Sequence, residues 1–368
     1  MTQESAEVVV VGGGAIGTST AYHLAELGLL DVTVVERDSL GSGSTSKAAG
    51  GIRTQFSDEL NVRIGLRSLT EFETFADLTG VDIAFHQTGY LFLLDNNADA
   101  QAFRRAIALQ RDLGLANIEL APAEVAALVP GLVTDDLVTA TFSPRDGHAT
   151  PEAVVTGYAG AAARRGVRFH QGEEVLGIRV RGGRVVAVET RRRTIATPSV
   201  ICAAGPWSRE IAAMVGLDLP VVGERRFVHY TAADGGLPAA LPLTIDFTTG
   251  FYVHREGPGL IFGAPHDDLD QVAASVTRRL PLLADLPVQT SWSGLYEMSP
   301  DHNALIGEAD TPTRFLYASG FSGHGFQQAP AVGEYLAQLI TGTPPTLDLG
   351  PLSLERLRHG VRAESMVV

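Results

Sequence analysis

Six residues near the N-terminus, Gly12-Gly13-Gly14-Ala15-Ile16-Gly17, have the types and spacing to hold a phosphate. Gly12 permits a tight turn, Gly14 lets main chain approach a pyrophosphate, and Gly17 allows a helix to pack closely on a strand; the first amides of that helix have no partner of their own. Glu36 follows 19 residues beyond Gly17, the separation at which a carboxylate takes ribose hydroxyls. A second glycine loop, Phe321-Ser322-Gly323-His324-Gly325-Phe326, opens another helix near the far end of the chain. A glycine turn alone is weak support for a ligand. Here the apolar run Val8 to Val11, the glycines, a helical segment to Leu27, a strand Val32 to Val35 and the terminal acid all agree. They fit dinucleotide binding, and Glu36 by itself serves NAD and FAD alike.

Positioning those groups requires a βαβ unit at the start of the chain. Residues 41 to 56, GSGSTSKAAGGIRTQF, are too rich in Gly and Ser for a helix interior and suit a bulky ligand lying on backbone. A helical pattern runs from Asp58 to Ala76, a short strand pattern covers residues 89 to 95, and residues 98 to 129 read as mostly helical up to Pro130-Gly131. A helix from Pro151 to Arg165, a strand from Val167 to His170 and a hairpin about Gly182-Gly183 follow. Residues 200 to 208, VICAAGPWS, read as a buried strand entering a glycine turn. Residues 219 to 299 hold alternating strands (RRFVHYTA, GFYVHRE, GLIFGAP) joined by Gly/Pro turns, the pattern of an antiparallel sheet. A chain that begins α/β, turns antiparallel and returns to α/β suggests a nucleotide domain interrupted by a second one. We expect residues 1–85, 145–215 and 300–368 in the first and 86–144 and 216–299 in the second.

Composition narrows the function. The 368 residues are 45% hydrophobic and 19% charged, enough for a large core. The formal charge of −14 excludes a nucleic-acid partner, which demands a basic surface. Cys202 is the only cysteine, so there is no intrachain disulfide, cysteine-ligated cluster or thiol zinc site, and no metal site is expected. The acidic MTQESAE start and an apolar run broken at Gly12 argue against a signal peptide or a membrane span, and a reducing cytoplasm is the expected location. Lys47 is the sole lysine.

The stretches VVVVGGGAIGTSTAYHLAELG with VVERD, GSTSKAAGGIRTQF, DGHATPEAVV, VICAAGPWS, and YEMSPDHNALIGE leading to LYASGFSGHGFQQAPAVGEYLAQLI resemble the FAD-dependent D-amino-acid oxidase superfamily. That group includes glycine oxidase, sarcosine oxidase, and dimethylglycine and proline dehydrogenases. The resemblance spans essentially the whole chain. It implies an α/β fold, with a Rossmann-type FAD-binding domain interrupted by an α+β substrate domain whose antiparallel sheet covers the flavin. It also implies Glu36 and Arg37 at the adenosine end, Ser44 and Thr45 at the diphosphate, and Val175 with its backbone at adenine. Ala15 and Ile16 begin the phosphate-binding helix, while Lys47, Ala48, Ala49, Gly50 and Gly51 line the flavin. Ala204, Gly205 and Trp207, the last beside the ring system or in the core, close one side; Gly320, Ser322, Gly323, His324, Gly325, Phe326 and Gln327 form the isoalloxazine pole, with His324 either at the flavin or hydrogen-bonded within its loop.

In such a family the flavin accepts a hydride at N5 from the carbon beside an amine, and the resulting imine hydrolyses. The cofactor carries the hard step, so no strong side-chain base is needed. Departures from relatives narrow the reading. Lys47 stands where dimethylglycine dehydrogenase attaches flavin through a histidine, and Gly294 where monomeric sarcosine oxidase uses a cysteine, which implies non-covalent FAD. Ile261 replaces that oxidase's lysine over the flavin, leaving open oxygen or another electron acceptor. Arg53 matches an arginine that holds the substrate carboxylate, with a phosphate or loop-anchoring contact as the alternative, while Gln327 replaces its lysine partner, so an amino acid other than sarcosine is expected. Tyr252 and His324 complete the candidate catalytic set; His254 reads as a surface residue or a satisfied hydrogen-bonding partner, and His148 and His302 as structural loop residues. A 2-hydroxy-acid substrate, or a role as flavin subunit of a heteromeric amino-acid dehydrogenase, remains open, as does a homo-oligomer.

Overall fold

The computed structural model describes residues 2–266, 268–360 and 363–367. Its centre is a six-stranded sheet in the spatial order Leu305–Glu308, Phe315–Ser319, Val200–Cys202, Val8–Val11, Val32–Val35, Arg168–His170, parallel except for the first pair. The run Val8 to Val11 is buried on both faces, as a central parallel strand must be. Val8 and Val10 join one core with the helices Ala15–Glu26, Pro151–Arg164 and Gly325–Thr341. Val9 and Val11 turn the other way, onto a four-stranded sheet that includes the hairpin Val175–Arg181 with Arg184–Thr190.

A separate eight-stranded sheet draws on residues 90–143 and 222–298, in the order Val288–Met298, Val222–Thr231, Gly259–Gly263, Tyr252–Glu256, Leu243–Asp246, Tyr90–Leu94, Thr139–Ser143, Ile118–Leu120. It is antiparallel except that Leu243–Asp246 runs parallel to Tyr90–Leu94. The region expected to be helical from 98 to 129 is two helices, Asn97–Asp112 and Pro122–Leu128, with the short strand Ile118–Leu120 between them. The antiparallel stretch also contains a helix, Leu269–Arg279. A two-stranded ribbon, Gly51–Ile52 with Gly147–His148, connects the glycine-rich segment to the loop before Pro151. No helix among the described residues is long and apolar enough to cross a membrane.

Candidate cofactor and substrate site

One long cleft runs from the first glycine loop to the second, with the eight-stranded sheet as its cover. At its first end Gly12 has a φ of +108°, and a Cβ there would stand 2.3 Å from the carbonyl oxygen of Ala203. A Cβ on Gly17 would stand 1.9 Å from the Gly12 carbonyl oxygen. Helix Ala15–Glu26 can therefore approach the strand only without these side chains. Its N-cap, Gly14, offers no side-chain acceptor to the helix amides; the amide of Ala15 donates to Thr45 Oγ1 at 3.1 Å. Glu36 accepts from the Gly13 amide at 2.8 Å and from the Asp38 amide at 2.9 Å, which fixes the carboxylate while leaving lone pairs for hydroxyl donors. The Arg37 guanidinium lies 3.7 Å above the Trp207 ring, and a Cβ on Gly43 would meet that ring at 3.5 Å. Trp207 thus belongs to the end of the cleft that holds Glu36. Ser44 donates to the Leu295 carbonyl at 2.6 Å, tying this loop to the cover sheet.

At the other end, helix Gly325–Thr341 also starts without a side-chain cap, so its first amides and positive end face the cleft. Gly323 has a φ of +92° and sits so close to Tyr296 that a Cβ would come within 2.5 Å of the ring. Arg53 is 2% exposed. Its guanidinium donates to the main-chain carbonyls of Gln55 and Met366, the latter at 2.6 Å, and faces His324 Nε2 at 2.8 Å. Because a guanidinium only donates, His324 Nε2 accepts and the ring proton is on Nδ1. Burial, then the adjacent Arg53 charge, hold His324 well below the usual histidine range, so it is neutral. The Arg53 amide donates to Gln327 Oε1 at 2.7 Å, so Gln327 acts on the arginine's backbone.

Tyr90, Tyr252 and Tyr296 line the cleft around Arg53, and burial raises all three phenols, keeping them protonated. Ile261, by contrast, is buried in the sheet opposite His254 and Tyr230. Lys47 lines the cleft with its Cβ against Gly294, so the two positions that departed from covalent relatives are neighbours.

Several site residues escaped the sequence reading. Glu297 lines the cleft, accepts from Ser319 Oγ at 2.7 Å and from the amides of Gly320 and Phe321, and is pushed up by burial to about 7. Asp146 accepts from the Thr54 amide at 2.9 Å and hydroxyl at 2.8 Å, anchoring the segment after Gly51–Ile52 that carries Arg53; burial raises it to about 6. Tyr90, Tyr296 and Arg226, whose guanidinium lies over Tyr296, complete the list. Glu297 and Tyr296 sit within YEMSPDHNALIGE, but no spacing rule assigns them a role.

The two uncapped helix starts, the glycine close approaches and Glu36 fit a dinucleotide in extended form. A family model described as "DAO: FAD dependent oxidoreductase" matches residues 7–339. The chain belongs to this family. FAD is accordingly its cofactor and redox catalysis its class of activity. Mouse mitochondrial sarcosine dehydrogenase is 29% identical over an alignment of 388 positions that covers 97% of this chain and 42% of that protein. The chain therefore spans less than half the length of that relative. FAD-dependent oxidoreductase domain-containing protein 1 of Xenopus laevis is 31% identical, covering 96% of this chain and 83% of its own. Among solved structures, L-proline dehydrogenase from P. horikoshii superposes with a TM-score of 0.91 at 32% identity, covering 98% of this chain and all of that one. Glycine oxidase from Geobacillus kaustophilus, at 24% identity and a TM-score of 0.85, shares the fold.

Proposed function

We propose that this chain oxidises the C–N bond of a small amino acid whose amine carries an alkyl group, giving an imine that water hydrolyses. The observation that carries this reading is Arg53: a buried guanidinium at the second glycine loop, with aromatic walls and, among the described residues, three of its N–H groups engaged, by Gln55, Met366 and His324. A buried cation with donors to spare selects a carboxylate. The similar proteins carry the names sarcosine, dimethylglycine and L-proline dehydrogenase, and all three compounds are N-alkylated amino acids.

Bound FAD supplies the two-electron oxidant. The chain's own residues bind and orient. Arg53 takes the carboxylate, Gln327 and His324 hold Arg53 in place, and Tyr90, Tyr252 and Tyr296 exclude water. None of these groups serves as base: the His324 lone pair is spent on Arg53, and the phenols stay protonated. The amine therefore enters neutral, and kcat/KM rises with pH toward the substrate's own amine pKa.

We also propose that FAD is held non-covalently. Cys202 is fully buried with its thiol raised by burial to about 11, His324 is occupied, and Lys47 and Gly294 stand where relatives attach flavin. Acid precipitation of the purified protein should leave a colourless pellet. The substrate assignment is tested by anaerobic mixing of the FAD-loaded chain with sarcosine, dimethylglycine, L-proline, glycine and lactate. Bleaching by the N-alkyl amino acids supports it, and bleaching by lactate alone overturns it. Turnover of the purified chain with an artificial acceptor separates an independent enzyme from a subunit that needs a partner.

A further inference from the structure

Beyond the cleft, the strand Tyr252–Glu256 presents Tyr252, His254 and Glu256 on one face, since alternate residues of a strand point the same way. The ribbon residue His148 lies against that face, its ring centroid 4.4 Å from that of His254. Gly147 makes this approach possible, because a Cβ there would stand 1.9 Å from the His86 carbonyl oxygen. One ligand atom each from His148, His254 and Glu256 lies within 4.8 Å of the other two.

Each of the three keeps a ligand atom that no other side chain engages among the described residues. His254 Nδ1 donates to the Arg255 carbonyl at 2.7 Å, so the neutral ring carries its lone pair on Nε2. That residue is 0% exposed, and Nε2 has no hydrogen-bond partner. The main-chain carbonyl of Ala49 is close to the ring, but a carbonyl is itself an acceptor and cannot serve a lone pair. His148 is buried, and among the described residues its ring nitrogens have no hydrogen-bond partner and the Glu256 carboxylate forms no ion pair. The buried Nε2 lone pair of His254, left without a donor, is costly, and a cation shared with the His148 ring and the Glu256 carboxylate would satisfy it.

We propose that His148, His254 and Glu256 bind a first-row divalent cation, zinc by preference. Two imidazoles and one carboxylate are a zinc donor set, whereas magnesium and calcium prefer oxygen alone. Tetrahedral ligands about 2.1 Å from zinc lie about 3.4 Å apart; the Glu256 side chain, exposed and unpaired, has the freedom to close the remaining gap. Exposed His86, whose ring is 5.2 Å from that of His148, stands at the entrance. The metal would join the strand Tyr252–Glu256 to the ribbon Gly51–Ile52 with Gly147–His148, and so stiffen the cleft wall at Ala49 to Gly51. Zinc is redox-inert, so this role is independent of electron transfer and of the substrate reading.

The FAD-loaded full chain, stripped with a chelator and titrated with zinc chloride, should take up one equivalent per chain. Cobalt chloride in its place should give the visible bands of a tetrahedral nitrogen and oxygen site. Glu256→Gln and His148→Gln should each weaken zinc at least about tenfold with FAD content unchanged. Failure to reach one equivalent, or equal affinity in wild type and Glu256→Gln, overturns the proposal. If His148→Gln also loses FAD, Glu256→Gln alone decides, because its side chain is exposed and its loss leaves the core intact.

Discussion

The two ends of the cleft are built differently. At the Glu36 end the glycine loop's own hydrogen bonds join residues close in sequence, Gly13 to Glu36 across 23 positions and Ala15 to Thr45 across 30, with Ser44 to Leu295 as a long-range tie to the cover sheet. At the Arg53 end they join residues 271, 274 and 313 positions apart: Arg53 with His324, Gln327 and Met366. The first is a local unit whose geometry is imposed by glycines that no other residue can replace. The second exists only after segments far apart in the chain have packed together. A fault in the first should abolish cofactor binding, whereas a fault in the second should leave the cofactor bound and impair turnover.

The largest expected effect tests the local end. Gly17→Ala drives a methyl into the Gly12 carbonyl oxygen, 1.9 Å away, and should yield protein with less than about a tenth of the wild-type FAD, read from its visible absorbance. Full flavin content in that variant would dissolve the contrast. Next comes Arg53→Ala, which should keep FAD but lower kcat/KM for a carboxylate substrate by about a hundredfold or more, since a buried charge-assisted contact is worth about 2–5 kcal/mol. Unchanged kinetics would remove Arg53 from the substrate site.

Glu297 offers a pH test of the same end. Its carboxyl is raised from 4.5 to about 7, so between those values the folded protein binds the proton more tightly than the unfolded chain. Stability from this group is greatest below pH 4.5 and falls as pH rises to 7, by roughly 3 kcal/mol in all. Denaturant titrations at pH 5 and pH 8 should show that loss in wild type and a flatter profile in Glu297→Gln; identical slopes would refute the buried ionisation. The smallest effect is Trp207→Ala. Loss of the stack under Arg37 should weaken FAD about threefold, matching a cation–π contact of about 0.5–1 kcal/mol, with KM for substrate unaltered.

The legible parts of the sequence follow this division. Val8 to Val11, the glycines and Glu36 encode their own geometry, because strand alternation, turn sterics and helix-end amides act over a few residues. The hairpin about Gly182-Gly183 and the strands at Tyr252 and Gly259 were legible for the same reason. The long strand Val288–Met298 was harder to read: it is exposed over its first four residues and half-buried beyond them, so no clean alternation marks it. Glu297 and Asp146 look like ordinary acids in sequence. Only burial, by removing water from their charged forms, sets them apart. His254 reads as a surface residue or a hydrogen-bonding partner; it is buried, its Nδ1 bonds the Arg255 carbonyl, and packing by the ribbon leaves Nε2 without a donor.

By itself the sequence determined that a dinucleotide lies across the first βαβ unit, and its resemblance to known flavoproteins identified that dinucleotide as FAD. The requirements there are steric and span few residues. Tertiary structure alone decided which groups line the cleft, which are shifted in their ionisation by burial, and that His148, His254 and Glu256 converge. Those properties depend on distance and exclusion of water between segments far apart in the chain, and neither is written in local residue order.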